Sequence, residues 1–360
     1  MKFFALMKTI GLRAPKNFRS NRLWVIWGGK LYVRSWKKIS SLSETLPRYV
    51  ENWRSTALNF VKIDIRSRRT KSNRQSTAIL VTELGMFGNM TRRLGNALTL
   101  CANLGYNTVV VPKSVIFHHG LFQDGDHKGL PSGRLVFGTR LRPRDNTVER
   151  LVVGNLFELI DIDQHSLQKE IDYAWTSLRT IFKGSPPIGK CEEGSLAIHL
   201  RGGDVFGPRK PQGYGQPPLA FYELVLNSST WTSVTIVHQA QENPVLAGLQ
   251  RLCKDLEITI VTQSGTLIDD LGVLMQAETL VAGRGTFVPA VANLSPNCKR
   301  VIYFEDKCNM SPQRSGLELT RVIDLEGKYK EAVLSNNWEN SIDQRELMLS
   351  YPVSSLRILN

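Results

Sequence analysis

The chain has 360 residues, 42% of them hydrophobic, which is enough for two domains with cores of their own. No apolar run approaches the ~20 residues that span a bilayer, and the apolar start Met1–Met7, interrupted by Lys2 and followed by Lys8, has no convincing cleavage site, so neither a signal peptide nor a membrane anchor is expected. A net charge of +14 would point to nucleic acid if it were spread along the chain. Instead, residues 1–76 hold 18 Lys+Arg against 3 Asp+Glu, a net of +15, while the rest holds 28 against 29, a net of −1. A basic extension therefore precedes a neutral body.

The extension carries four of the seven tryptophans, Trp24, Trp27, Trp36 and Trp53. Leu23 to Arg34 fits a short hairpin around Gly28-Gly29, and Arg66 to Arg74 is a basic linker. Cations beside tryptophan suit an anionic membrane surface, where each Lys or Arg is worth about 1 kcal/mol. They equally suit a solvated extension packed loosely on the body, and suit an RNA backbone less well.

Thr77 to Thr82 reads as a buried strand, followed by Glu83-Leu-Gly-Met-Phe-Gly-Asn-Met-Thr. Leu94, Ala97, Leu98, Cys101 and Leu104 recur at helical spacing over 92–104, Gly105 ends that helix, and 107–112 is a second strand. The glycine loop thus sits at a strand-to-helix switch, where backbone amides favour an anion; a tight turn without a ligand is the other reading. The loop is neither G-x-G-x-x-G nor Walker A. Residues 113–150 look loop-rich. His118, His119 and His127 there lack a third ligand at useful spacing, and the five scattered cysteines contain no C-x-x-C pair, so no metal is expected. Ile171 to Phe182 is amphipathic, and 185–194 reads as a linker.

Ser195-Leu-Ala-Ile-His-Leu-Arg-Gly-Gly-Asp204 alternates as a strand that delivers Arg201 to its own carboxyl end. In open α/β sheets ligands bind there, and a guanidinium fork matches a phosphate pair. Arg201 either clamps a nucleotide diphosphate or forms an ordinary ion pair with Asp204. A Gly/Pro-rich loop fills 205–218. Beyond it strands and helices alternate (helix 219–226, strand 234–238, helix 244–254, strand 258–261, helix 266–278, strand 279–282, helix 290–294, strand 301–304), which indicates a parallel doubly wound sheet. Gly283-x-Gly285 follows a strand but lacks the third glycine of a dinucleotide fingerprint. Residues 305–360 read as helical pieces and a polar tail.

Three of these segments, in order, resemble the fucosyltransferases of the α1,2-, α1,6- and protein-O-linked group. Gly85-Met-Phe-Gly-Asn89 resembles their Gly-x-x-Gly-Asn loop, His199-Leu-Arg201-Gly-Gly-Asp204 their His-x-Arg-Arg-x-Asp motif, and Gly283-Arg-Gly-Thr286-Phe287 their Ser/Thr-Ser/Thr-Phe-Ser motif, with Asp270 ahead of it. The likeness covers roughly 77–305. It implies an α/β, GT-B-like fold: two Rossmann-type doubly wound domains facing across a cleft, with the basic extension in front. The expected divisions are a basic Trp-containing extension 1–76, an acceptor-side domain 77–188, a nucleotide-sugar domain 189–330 and a helical tail 331–360, the first and last lying outside the likeness.

The resemblance further implies an inverting, metal-independent hexosyltransferase that needs no cofactor beyond its donor, GDP-fucose or a similar nucleotide sugar, and acts on a glycan or polysaccharide acceptor. Arg201 would grip the β-phosphate. Thr286 and Phe287 would hold the phosphate and the guanine side, Asp270 the base or ribose, and Gly88 and Asn89 would reach the donor from the other domain, with His199 beside Arg201. Glu83 is the first candidate for the base that deprotonates the acceptor, and Asp204 the second. The family's second arginine is Gly202 here, so Arg284, Arg209 or Lys210 would have to supply that charge. A non-catalytic glycan- or nucleotide-binding protein of the same fold, or a transferase using another nucleotide sugar, are the rival readings. The expected location is cytoplasmic, with peripheral membrane attachment through residues 1–76, and nucleic acid is not an expected partner.

Overall fold

A computed structural model describes residues 23–25, 31–33, 61–63, 77–81, 84–112, 121–123, 125–139, 150–154, 156–157, 165–183, 193–208, 212–239, 241–305 and 313–359. In the extension, β1 (Leu23–Val25) and β2 (Leu31–Val33) pair antiparallel with Leu23 opposite Val33, the hairpin expected around Gly28-Gly29, whose turn lies outside the described residues. β3 (Val61–Ile63) belongs to the body: it pairs antiparallel with β8 (Arg150–Gly154) and forms one edge of a six-stranded sheet.

That sheet runs β3-β8-β4-β5-β7-β6. β4 (Thr77–Val81), β5 (Thr108–Pro112), β7 (Gly133–Thr139) and β8 are mutually parallel, and β6 (Asp126–Leu130) closes the far edge antiparallel to β7. The β6–β7 hairpin occupies part of the stretch that reads as loop. Its outer strand, Asp-His-Lys-Gly-Leu, lies mostly exposed on a sheet edge and so carries no apolar alternation to betray it.

The second sheet runs β11-β10-β9-β12-β13-β14-β15. β9 (Ser195–Leu200), β10 (Ser233–His238), β11 (Ile260–Gln263), β12 (Thr279–Ala282), β13 (Arg300–Phe304) and β14 (Glu318–Asp324) are parallel, and β15 (Leu356–Leu359) is antiparallel. Counted along the chain, the parallel strands lie in the order third, second, first, fourth, fifth, sixth. This is the doubly wound Rossmann arrangement, and its order reverses between β9 and β12. In the first sheet β4 likewise lies between β5 and β8, so each half has one reversal point. The fold is two Rossmann-type halves of GT-B-like kind. The tail expected to be helical contributes α7 (Ile342–Ser350) but ends in β15, because Arg357 and its neighbours complete the sheet edge beside β14.

Every residue of β9 is buried, as a central parallel strand covered on both faces requires. Leu196, Ile198 and Leu200 enter one core with α3 (Leu219–Leu226) and α4 (Val245–Asp255), whereas Ala197 enters the other, the alternation expected of period two. The second core is shared. It runs without a break from α1 (Phe87–Asn103) and α2 (Gln168–Ile181) of the first half, through Met90, Leu94 and Trp175, to α5 (Leu267–Leu274) and α6 (Phe287–Leu294) of the second. Polar ties reinforce it: Arg179 Nε donates to the Leu294 carbonyl at 2.9 Å, and the Ser315 amide donates to Asp172 at 2.7 Å. Among the described residues no helix is long and apolar enough to cross a membrane.

The segment after β14 packs back under the second sheet. Trp338 is fully buried, its indole N–H donates to the Val205 carbonyl at 2.8 Å, and its ring meets Phe206 edge-on at 5.6 Å. It thereby holds the turn that follows Arg201. Trp338→Ala is expected to lower the unfolding free energy by about 3–5 kcal/mol, read as a shifted urea midpoint at unchanged slope.

Candidate functional site

The crevice between the carboxyl ends of β9 and β12 is where this topology leaves room for a ligand. β9 leads directly into Arg201. Gly202 is buried, and Gly203 takes φ +61°, a left-handed turn that suits glycine, so the chain folds back within one 3-10 turn. That return brings Asp204 against the guanidinium: Nη2 donates to Oδ2 at 3.0 Å and Oδ1 at 3.3 Å. The Asp204 side chain is 59% exposed and that of Arg201 only 23%. The guanidinium also lies over the ring of Tyr214, 4.5 Å from its centroid. From the other side comes the β12–α6 loop. Gly285 has φ +128°, a conformation that favours glycine, and a Cβ there would stand 2.8 Å from Arg201 Nη1.

α6 opens at Phe287 with Thr286 as its cap residue, without a side-chain cap bond and without an acid in the first turn. α1, from the other half, also opens without either. α1 starts earlier than its apolar periodicity suggests: Gly85 at φ +75° makes the turn, Met86 is the extended cap residue, and Gly88 and Asn89 already lie in the first helical turn. The two helix starts abut. Thr286 Oγ1 donates to Asn89 Oδ1 at 2.7 Å, and a Cβ at Gly88 would stand 2.5 Å from Thr286 Oγ1 and 2.6 Å from its carbonyl carbon. Phe87 meets Phe287 edge-on at 5.6 Å, and Phe287 stacks on His199 at 4.6 Å. Asn89, Gly88, Thr286, Phe287, His199, Arg201 and Asp204, chosen from three distant stretches of sequence, therefore form one contiguous group.

His199 is 4% exposed and its Nε2 has no hydrogen-bond partner among the described residues. Burial, with the Arg201 charge as a lesser cause, pushes its pKa down to about 3, so the ring is neutral. Asp270 belongs to α5, the helix that follows β11. It is buried at the start of α5, accepts from the Gly265 amide at 3.2 Å and from the Gln263 side chain, and burial raises its pKa. Its oxygens brace the turn after β11. Arg284 directs Nη1 to the Leu334 carbonyl at 2.8 Å. Glu83, Arg209 and Lys210 lie outside the described residues, as do His118 and His119. His127 Nε2 contacts the Gln123 carbonyl at 2.6 Å, and among the described residues no group of three or more His, Cys, Asp or Glu stands where it could hold a metal.

Three residues of the site escaped the sequence reading. Tyr214 covers Arg201, Gln216 ties the Tyr214 loop to the β12–α6 loop, and Asn243 Nδ2 donates to the Arg201 carbonyl at 3.0 Å while its Oδ1 accepts from Val245 N. The available signals were an aromatic residue inside a Gly/Pro-rich loop and an Asn-Pro helix start.

On the first half, the reversal between β4 and β8 has its own cluster. The guanidinium carbons of Arg92 and Arg93, both buried, lie 4.4 and 5.5 Å from the Phe157 ring centroid. Beside them Leu156 takes φ +55°, with its carbonyl accepting from Asn96 Nδ2 at 2.8 Å.

No protein-family model and no curated protein matches the chain. Among solved structures it is similar to the E. coli heptosyltransferase WaaC with ADP, at 14% identity over 68% of this chain and 93% of that one, with a TM-score of 0.36. It is also similar to the iron-containing dodecameric glycosyltransferase TibC of enterotoxigenic E. coli, at 11% identity over 82% of both chains and a TM-score of 0.40. POFUT1 in complex with GDP matches at 11% identity over 69% of this chain and 99% of that one, with a TM-score of 0.32. Likenesses this distant assign neither donor nor acceptor.

Gly88→Ala forces a methyl group into the Thr286 backbone and is expected to cost about 1–3 kcal/mol in chemical denaturation, with loss of whatever affinity depends on the junction. His199 supplies a pH signature. Its folded pKa lies below the ordinary 6.5, so the unfolded chain takes up a proton that the native ring refuses. Stability is lost as pH falls from 6.5 towards 3. Urea midpoints of His199→Phe are expected to decline less than the parent's between pH 7 and pH 4.5.

Proposed function

We propose that this chain is an inverting glycosyltransferase that draws on a nucleotide sugar, GDP-fucose or a close relative, and delivers the sugar to a glycan or polysaccharide acceptor. The observation that carries the reading is the place of Arg201: a guanidinium at the topological reversal of a Rossmann-type half, facing a glycine loop that leads into an uncapped helix. A diphosphate fits that setting. Arg201 offers a planar cation, and the first amides of α6 offer donors on the neighbouring side.

The chemistry follows from this placement. The acceptor hydroxyl oxygen forms a bond to the anomeric carbon as the bond from that carbon to the diphosphate oxygen breaks. The electron pair leaves with the nucleotide, and the hydroxyl proton passes to a base. Arg201 and the α6 amides stabilise the departing charge, the kind of preorganised electrostatics that dominates such barriers. Glu83 remains the first choice for the base, since Asp204 already holds Arg201. In this reading residues 77–188 receive the acceptor, residues 189–330 hold the donor, and the basic extension meets an anionic membrane surface from the cytoplasmic side. Asn89 and Thr286 contribute from opposite halves at their junction.

A non-catalytic binding protein of the same architecture is the second reading, favoured by Gly202 where the resembled motif has its second arginine. The two separate on donor turnover. Calorimetry with GDP, UDP, ADP and CMP is expected to show tight binding of GDP alone, and Arg201→Ala is expected to lower transfer by about 10²–10³-fold without shifting the melting transition. Undiminished transfer in that variant would refute the assignment.

A further inference from the structure

The loop 212–218 covers one face of the Arg201 guanidinium with Tyr214. Among the described residues, three meet the guanidinium. Asp204 holds its Nη2 end, the β12–α6 loop passes Nη1 at Gly285, and Tyr214 presents its ring to the guanidinium face at 4.5 Å. A Cβ at Gly285 would also stand 3.8 Å from Tyr214 Cε1, so ring, glycine and guanidinium share one slot.

Tyr214 is itself held from behind. Gln216, 1% exposed, donates its amide to the Tyr214 carbonyl at 2.8 Å and accepts from the Arg284 amide at 3.4 Å. Its side-chain oxygen fills the place a Cβ at Gly283 would take, at 2.8 Å. Its own carbonyl accepts from the Tyr329 hydroxyl at 2.6 Å. Gly215 is pressed against Val333, whose carbonyl oxygen would be 2.1 Å from a Cβ there. The chain from Tyr329 to Leu334, beyond the stretch that resembles a known family, thus sets the position of the ring.

We infer that Tyr214 is a positioning residue that holds the Arg201 guanidinium flat and in register with the glycine loop, braced by Gln216 and the 329–334 segment. The inference rests on the reading of Arg201 as the anion-binding group. A long arginine side chain at the rim of a crevice has many rotamers, and ordering it only when the anion arrives would cost affinity. An aromatic face restrains the guanidinium plane while leaving its edge N–H groups available to oxygen ligands. Asp204 alone cannot do this, because an exposed carboxylate restrains one end of the fork and competes with the incoming anion.

The test is a double-mutant cycle on the full-length chain, with inorganic pyrophosphate and GDP as calorimetric probes. Tyr214→Phe is expected to bind both within about twofold of the parent, since the ring face is kept. Tyr214→Leu is expected to weaken both roughly five- to thirtyfold, the range a desolvated cation–π contact supplies. In an Arg201→Ala background, Tyr214→Leu is expected to cost nothing further. An additive double variant, or a Phe variant as weak as the Leu variant, overturns the positioning role while leaving Arg201 in place. Undiminished pyrophosphate and GDP affinity in Arg201→Ala overturns the reading beneath it, and with it this inference. Melting curves of both Tyr214 variants separate a lost contact from a lost fold.

Discussion

Parallel strands that wind outward in both directions from a central pair cannot be covered at the point where the winding turns over. The helix following one strand goes to one face and the helix following its neighbour to the other, so a notch remains at their carboxyl ends. In the second half of this protein the notch lies between β9 and β12. The short motif around Arg201 and the glycine loop before Thr286 are the two connections that flank it. Their 80-residue separation in sequence becomes adjacency because β9 and β12 are hydrogen-bonded neighbours, with Val281 opposite Ile198. The chemistry of the site is therefore a consequence of strand order before it is a consequence of any single side chain.

A second constraint is the absence of a side chain at Gly88. It allows the start of α1 to touch the backbone at Thr286, and with it the Asn89–Thr286 bond and the stack of Phe87, Phe287 and His199. Each of these alone is modest: one neutral hydrogen bond and two aromatic contacts, worth of order 1 kcal/mol apiece. Together they fix which part of the first half faces Arg201. Backbone, aromatic ring and imidazole meet at one junction, and the neutral, deeply buried His199 acts there as a flat apolar surface.

Much of this was legible in the chain itself. The alternation of β9, the glycine punctuation after β4 and β12, and the strand–helix rhythm gave the class of fold and most of the grouped residues, because these signals are local and periodic. What stayed hidden was non-local. The β6–β7 hairpin has a polar outer strand, and β3 is three residues within a basic extension. Tyr214 and Gln216 lie in a loop whose conformation is dictated by Tyr329 and Val333, more than 100 residues away. Asp270 shows the converse limit. Its oxygens accept from Gly265 and Gln263, a detail that no spacing rule conveys.

The two halves also do not meet as separable bodies. Loosely associated domains join through modest polar surfaces and move relative to one another by default. Here a continuous apolar core runs from Leu94 and Trp175 to Val288 and Val291, and Arg179 and Asp172 add polar bonds across the same seam. Opening that seam would expose side chains each worth about 1.5–3 kcal/mol in burial. Adjustment around a bound nucleotide is therefore expected in the thin layer above the core: the turn of Gly202 and Gly203, the loop bearing Tyr214, and the rotamer of Arg201. Gln216 and Trp338 brace that layer from behind, so the cation is presented already in place.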